Sequence, residues 1–179
     1  MAVSAEITAV RKQRWIAASL LASALSGCGA WQSVKNGTVD ATRAIFVAKV
    51  DQMNLVVASR AALNQNDRGQ SLPVVMRIYQ LKDAKGFEKA GYGPLLADDR
   101  DVLKTDLVGR MEITLDPGAT IRLSETMPDS AQDVGIVAFF RDQTHAQWQL
   151  VIPKSQWKKT DPVTLVVSGN HVDMAPPSK

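Results

Sequence analysis

The chain has one cysteine, Cys28, and two histidines, His145 and His171, in 179 residues. A single thiol excludes an internal disulfide framework, and it cannot assemble a cysteine-ligated zinc site or an iron–sulfur cluster. His145 falls in the polar turn Asp142-Gln143-Thr144-His145, and His171 follows Gly169-Asn170 near the end of the last apolar segment. A metal site or an acid–base pair would need both to converge with carboxylates such as Asp142 or Asp173. Neither sits in a ligand-spaced motif, so both read as solvated loop histidines. A glycine-rich phosphate loop and a Gly-x-Ser-x-Gly nucleophile elbow are missing as well. The acidic run Asp98-Asp99-Arg100-Asp101 lacks the spacing that wraps a loop around calcium. It reads as a cap and solvated surface for the next turn. Aromatic residues make up 6% of the chain. Trp31, Trp148 and Trp157 are candidates for stacking sugars, but Trp148 has strand spacing and reads as core. Nothing in this inventory reads as an active site, so a non-enzymatic role is expected.

An apolar run long enough to cross a bilayer is also lacking. Residues 15–24 are apolar or small, well short of the roughly 20 residues a membrane helix needs. They follow Arg11, Lys12 and Arg14 and precede the small residues before Cys28, which is the order of a secretion signal. The closing Leu25-Ser26-Gly27-Cys28 resembles the lipobox of bacterial lipoproteins, whose cysteine is lipidated before the signal is removed ahead of it. The expected attachments are an S-diacylglycerol and an N-acyl chain on Cys28, with no other cofactor and no metal. Each buried methylene contributes about 0.8 kcal/mol, and stable attachment takes at least two chains. Gly29 stands where an aspartate would direct retention in the inner membrane, which favours the outer membrane.

A strong charge imbalance is missing too. The formal charge is +3, but residues 1–27 hold three cations against Glu6, so the mature 152 residues carry only +1. That balance gives no support to a nucleic-acid partner. The expected organisation is a signal peptide over 1–27, a lipidated cysteine and tether over 28–44, and one domain over 45–179. Fully extended, the tether residues 29–44 reach roughly 50–55 Å.

What is present is a period of two. Leu107, Gly109, Met111, Ile113 and Leu115 alternate with polar neighbours up to Asp116-Pro117-Gly118, where proline and glycine suit positions i+1 and i+2 of a type II turn. Ala119, Ile121 and Leu123 resume the alternation, predicting a hairpin with one wet face. Trp148, Leu150 and Ile152 form another strand, and Val163, Leu165 and Val167 a further one. Residues 73–81 and 134–140 are apolar on both faces and read as central strands, with a weaker strand over 54–58. Seven short strands predict an all-β, two-sheet sandwich. Between them, Asp83 is placed to cap a helix from Ala84, with Phe87, Ala90 and Leu95 or Leu96 facing the sheet. Gly91, Gly93 and Pro94 split this insert into two short pieces, which would also shield a sheet edge.

The connection between the first two strands is long for a hairpin and rich in side-chain amides. Its plain reading is a solvated surface loop; its functional reading is a binding loop on a rigid sandwich. The residues here carry a resemblance. Ala62-Leu63-Asn64, Asn66-Asp67-x-Gly69 and Ser71-x-Pro73-Val74-Val75-Met76-Arg77-Ile78-Tyr79-Gln80-Leu81-Lys82-Asp83 resemble the type VI secretion lipoprotein family, TssJ. So do Phe87, Val102-Leu103-x-x-Asp106-Leu107, Pro117-Gly118, Val134 to Arg141, and Trp148, in family order behind a lipobox.

The resemblance implies a transthyretin-like sandwich facing the periplasm from the outer membrane. It implies binding to the periplasmic C-terminal region of the large inner-membrane subunit TssM, which works with the smaller subunit TssL. Several copies then serve one larger complex. Carried over, the partner-binding loop falls on Asn64, Gln65, Asn66, Asp67, Arg68, Gly69, Gln70 and Ser71, and the lipidated position on Cys28. The insert over residues 84–97 is a second candidate surface. Hydrolases of purine catabolism share the transthyretin-like fold, but their histidine–arginine cluster and characteristic C-terminal tail have no counterpart here. The remaining alternative is a periplasmic lipoprotein that binds a carbohydrate or small ligand, which predicts a concave, aromatic-lined pocket.

Overall fold

The computed structural model describes residues 49–176. The expected signal, Cys28, the tether, Trp31 and the first residues of the expected domain lie outside them. Eight strands form two four-stranded sheets. They are β1 (Gln52–Leu63), β2 (Val74–Leu81), β3 (Leu107–Leu115), β4 (Thr120–Thr126), β5 (Asp133–Phe139), β6 (Gln149–Pro153), β7 (Val163–Gly169) and β8 (His171–Met174). One sheet runs β4-β1-β7-β8 and the other β3-β2-β5-β6. All neighbours are antiparallel except β1 and β7.

Alternation builds the core between the sheets. Met53, Leu55 and Val57 of β1 and Leu165 and Val167 of β7 are fully buried, and they face Met76 and Ile78 of β2 and Ile136 and Ala138 of β5. Each large aliphatic side chain so placed contributes about 1.5–3 kcal/mol. Gln80 joins the layers at one end, donating from Nε2 to the Thr126 carbonyl at 3.0 Å.

Two helices, α1 (Lys85–Lys89) and α2 (Tyr92–Val102), lie between β2 and β3, and α2 kinks at Asp98. The Asp83 carboxylate accepts the Lys85 amide at 2.8 Å. Phe87 and Leu95 are fully buried, whereas Leu96 is exposed. The insert covers a face of the second sheet rather than an edge. Phe87, Leu95 and Leu103 pack with Tyr79, Leu81 and Val137 in a second apolar cluster. This explains why β2 and β5 are apolar on both sides: one face meets the other sheet and the opposite face meets the helices.

The expected β3–β4 hairpin is not formed. Leu115 pairs with Val74 in one sheet, while Thr120 pairs with Ala58 in the other. The turn itself is as the sequence predicts, with Ala119 donating to the Asp116 carbonyl at 3.1 Å and Gly118 at φ +76°. A type II turn splays its flanking strands instead of matching their twist. Ser59 of β1 then captures the turn, accepting the Ala119 amide at 2.9 Å and donating to the Asp116 carbonyl at 2.6 Å. Alternation specifies which residues face the core, and both sheets face the same core. The eighth strand, β8, follows the Gly169-Asn170 turn, with Ser168 opposite His171. Its single inward residue, Val172, is too little to register as a period.

Candidate docking site at one pole

β1 begins three residues after Lys49 and ends at Leu63, a run of 12 residues. At about 3.3 Å per residue it carries the chain roughly 40 Å to the opposite pole. Four connections gather there: residues 64–73, the Asp116–Ala119 turn, residues 140–148 after β5, and the Gly169-Asn170 turn.

Asn64 fastens three of them. Its backbone amide donates to the Gly169 carbonyl at 2.7 Å, its Nδ2 to the Pro73 carbonyl at 2.8 Å, and its Oδ1 accepts the Arg141 amide at 2.8 Å. The residue is buried and takes φ +46°, a left-handed conformation that asparagine tolerates better than most residues. Asn64 therefore faces inward, as part of the frame.

The rest of the loop is folded on Asn66. Its Oδ1 accepts the amides of Arg68 at 2.9 Å and Gln70 at 3.0 Å, while Nδ2 donates to Gln70 Oε1 at 2.9 Å. The Gly69 amide reaches the Asn66 carbonyl at 2.9 Å, and Gln65 Nε2 donates to the Gly69 carbonyl at 3.0 Å. Ser71 Oγ accepts the Leu63 amide at 3.3 Å at the base. Asp67 and Arg68 stand at the exposed tip. Arg141 reaches Asp67 at 3.5 Å, but both side chains are solvated and the pair contributes little. The structure thus brings residues 64–71 together as one ordered loop.

The insert abuts the same pole. Tyr92, at the start of α2, donates its hydroxyl to the Phe140 carbonyl at 2.7 Å, one residue before Arg141. Its ring meets Phe139 and Trp148 edge-on, with centroids 5.5 and 5.2 Å away. Trp148 is half-buried in this contact and Trp157 is buried, its Nε1 donating to the Asn54 carbonyl.

Asp99 corrects the reading of the acidic run. Asp98 does act as a cap, accepting the Asp101 amide at 3.2 Å. Asp99, however, is buried between α2 and the sheet. Its Oδ2 lies 2.7 Å from Arg110 Nε and 3.3 Å from Arg77 Nη1, and it accepts the Tyr79 hydroxyl at 2.8 Å. Glu112 completes the cluster, 2.8 Å from Arg77 Nε and 2.9 Å from Arg110 Nη2. Burial raises the Asp99 pKa, but the Arg110 and Tyr79 hydrogen bonds and the two guanidinium charges outweigh it and hold the carboxyl below its ordinary value. Arg77 also donates to the Leu95 carbonyl at 2.7 Å and lies 4.8 Å above the Phe139 ring. Arginines two residues from a tyrosine or glutamate on neighbouring strands are the only sequence signal of this clamp.

His145 and His171 are exposed, and no group of metal-ligating side chains occurs among the described residues. Two hollows open among the described residues, the first of them at the loop pole. One, of about 190 Å³, opens among Asn64, Gln65, Asp142, Gly169 and Asn170; the other, of about 380 Å³, lies beside Val56, Leu123 and Pro162 on the first sheet. Neither is lined by an aromatic ring, which a sugar-binding site would call for.

Residues 51–170 match the family model described as type VI secretion lipoprotein (T6SS-SciN; VasD, EvfM, TssJ). The domain is similar to a chain of a solved "Type VI membrane complex", at 31% identity and TM-score 0.66, covering 72% of this chain and all of that one. It is similar to the T6SS lipoprotein TssJ1 from Pseudomonas aeruginosa, at 24% identity and TM-score 0.63, over 72% of this chain and 98% of that one. A chain in the structure of the T6SS protein TssM C-terminal domain (869-1107) from EAEC is 29% identical at TM-score 0.61, with 71% and 99% covered. No curated protein sequence matches.

Proposed function

Since this chain belongs to the type VI secretion lipoprotein family, we propose that it is the outer-membrane fixture of a trans-envelope secretion complex. In this role it holds the periplasmic C-terminal region of a TssM-like inner-membrane subunit through residues 64–71, and is linked to a TssL-like subunit only indirectly. The observation that carries this reading is the fastened loop, which sits at the far end of β1 from the point where the described chain begins. Relatives drawn from structures of a membrane complex and of a TssM C-terminal domain support the choice of partner.

Each part has a physical task. Acyl chains on Cys28 attach the protein, residues 29–44 supply reach, and the sandwich presents the loop. A device that pushes against the envelope needs such a fixture, and the task calls for no catalytic step. One loop contact is modest in area, so several copies on one complex give the strength.

The test is co-isolation of the detergent-solubilised lipoprotein with the TssM C-terminal region. Wild type is compared with a variant in which residues 65–70 are replaced by a short Gly-Ser link, leaving the framing Asn64 and Ser71 in place. Wild type is expected to bind and the replacement to lose binding while keeping its thermal midpoint. Retained binding by the replacement moves the interface to α2. A folded wild type that does not bind overturns the docking role.

A further inference from the structure

The 190 Å³ cleft at the loop pole has a one-sided chemistry. Its side-chain donors are already engaged: Asn64 Nδ2 with Pro73, Gln65 Nε2 with Gly69, and Asn170 Nδ2 with the carbonyls of Asp142 at 3.5 Å and Thr144 at 3.4 Å. Among the described residues, Gln65 Oε1 and Asn170 Oδ1 have no donor. Among the described residues the Asp142 carboxylate accepts only from Thr144, whose amide lies 2.8 Å away. That amide first, and the Thr144 hydroxyl with it, holds the Asp142 carboxyl below its ordinary pKa, so it is charged at neutral pH. Arg141, the neighbouring cation, is directed to Asp67 instead.

The walls are held in place. Gly169 and Arg141 are tied to one another through Asn64, so the cleft exists before any partner arrives. It lies at the base of the loop, beside Asn64 and Gln65, so a partner seated on residues 64–71 covers it.

We infer that this cleft is a receptor for a basic side chain, a lysine or arginine, projecting from the protein that docks on the loop. The ammonium or guanidinium meets the Asp142 carboxylate and donates to Gln65 Oε1 and Asn170 Oδ1. This rests on the docking reading and adds a specificity element, the Asp142 charge, that lies outside residues 64–71.

Asp142→Asn tests it. The amide retains the oxygen that accepts the Thr144 amide, so the turn is preserved while the charge is removed. Binding of the detergent-solubilised protein to the TssM C-terminal region is measured across a salt series. The variant is expected to bind about tenfold more weakly at low salt, with a flatter salt dependence and an unchanged thermal midpoint. Asp142→Lys is expected to abolish binding. If Asp142→Asn matches wild type in affinity and salt slope while loop replacement abolishes binding, the cleft inference falls and the docking reading stands. If folded wild type does not bind at all, both fall together.

Discussion

Gly135 makes room for the Phe87 ring: a Cβ on this glycine would lie 3.0 Å from two ring carbons and 3.1 Å from Leu81 Cδ1. Phe87 is the anchor of α1, and Gly135 is in β5 opposite Tyr79. The insert therefore seats on the sheet through one missing side chain. Gly135→Ala is expected to destabilise by about 1–3 kcal/mol, the usual cost of overpacking, and to lower Tm by roughly 3–10 °C. Phe87→Leu in the same chain should recover part of the loss. Additive losses in calorimetry, with no recovery, would show that the two residues do not compete for space.

Asp99 is the charge that holds α2 down. Asp99→Asn keeps the size but leaves Arg77 and Arg110 short of a counter-charge beneath the helix. The expected cost is about 2–4 kcal/mol, because breaking a largely buried pair strands the remaining charges. The pH dependence has a definite sign. The folded pKa lies below the ordinary 3.8, so the clamp's contribution is complete well above that value and is lost as pH falls through the folded value. Urea midpoints compared between about pH 6 and pH 3 should drop further for wild type than for Asp99→Asn. Equal drops would place the acid sensitivity elsewhere.

Much of this architecture is legible in the chain because burial follows simple periods. Leu55 and Val57, or Ile121 and Leu123, alternate since one side of each strand meets the core, and β2 and β5 lose the alternation since both sides are covered. The partition of strands between sheets is not legible. Ile113 and Ile121 face one core from opposite layers, and a period of two is the same for both. Asp99 was hidden for another reason: its neighbours Asp98, Arg100 and Asp101 are solvated, and its partners Arg77 and Arg110 lie 22 and 11 residues away. The loop's position follows from its length and amide content. The division of labour inside it does not, because an asparagine that frames the pole, Asn64, reads like one that shapes a turn, Asn66.

Cys28→Ser separates attachment from recognition. In the proposed role the Cys28 thiolate receives the diacylglyceryl group; a serine hydroxyl cannot replace it, so the variant is expected to leave the outer-membrane fraction and appear among soluble periplasmic proteins or as unprocessed precursor. Its sandwich is unchanged, so the solubilised variant should still bind the TssM C-terminal region. Secretion is expected to be lost at native expression, because the complex has no hold on the outer membrane. Membrane fractionation with an anti-tag blot reads the first outcome and effector release the second. Normal release by a variant that is demonstrably soluble would refute the anchoring role.

Asn66→Ala asks whether loop order matters for docking. The side chain holds the amides of Arg68 and Gln70, and it touches neither core cluster. Its loss should therefore leave Tm within a degree or two, since surface changes away from packed features cost about 0.5 kcal/mol or less. The free loop should populate more conformations, seen as faster hydrogen exchange at Arg68 and Gln70. Binding then has to restore the lost order. Fixing one backbone residue costs about 1–2 kcal/mol, so affinity for the TssM C-terminal region should fall about five- to thirtyfold. The loss should be largely independent of salt, unlike that of Asp142→Asn, because no charge is removed. Faster exchange with unchanged affinity would mean that the partner contacts the frame around Asn64 rather than the tip.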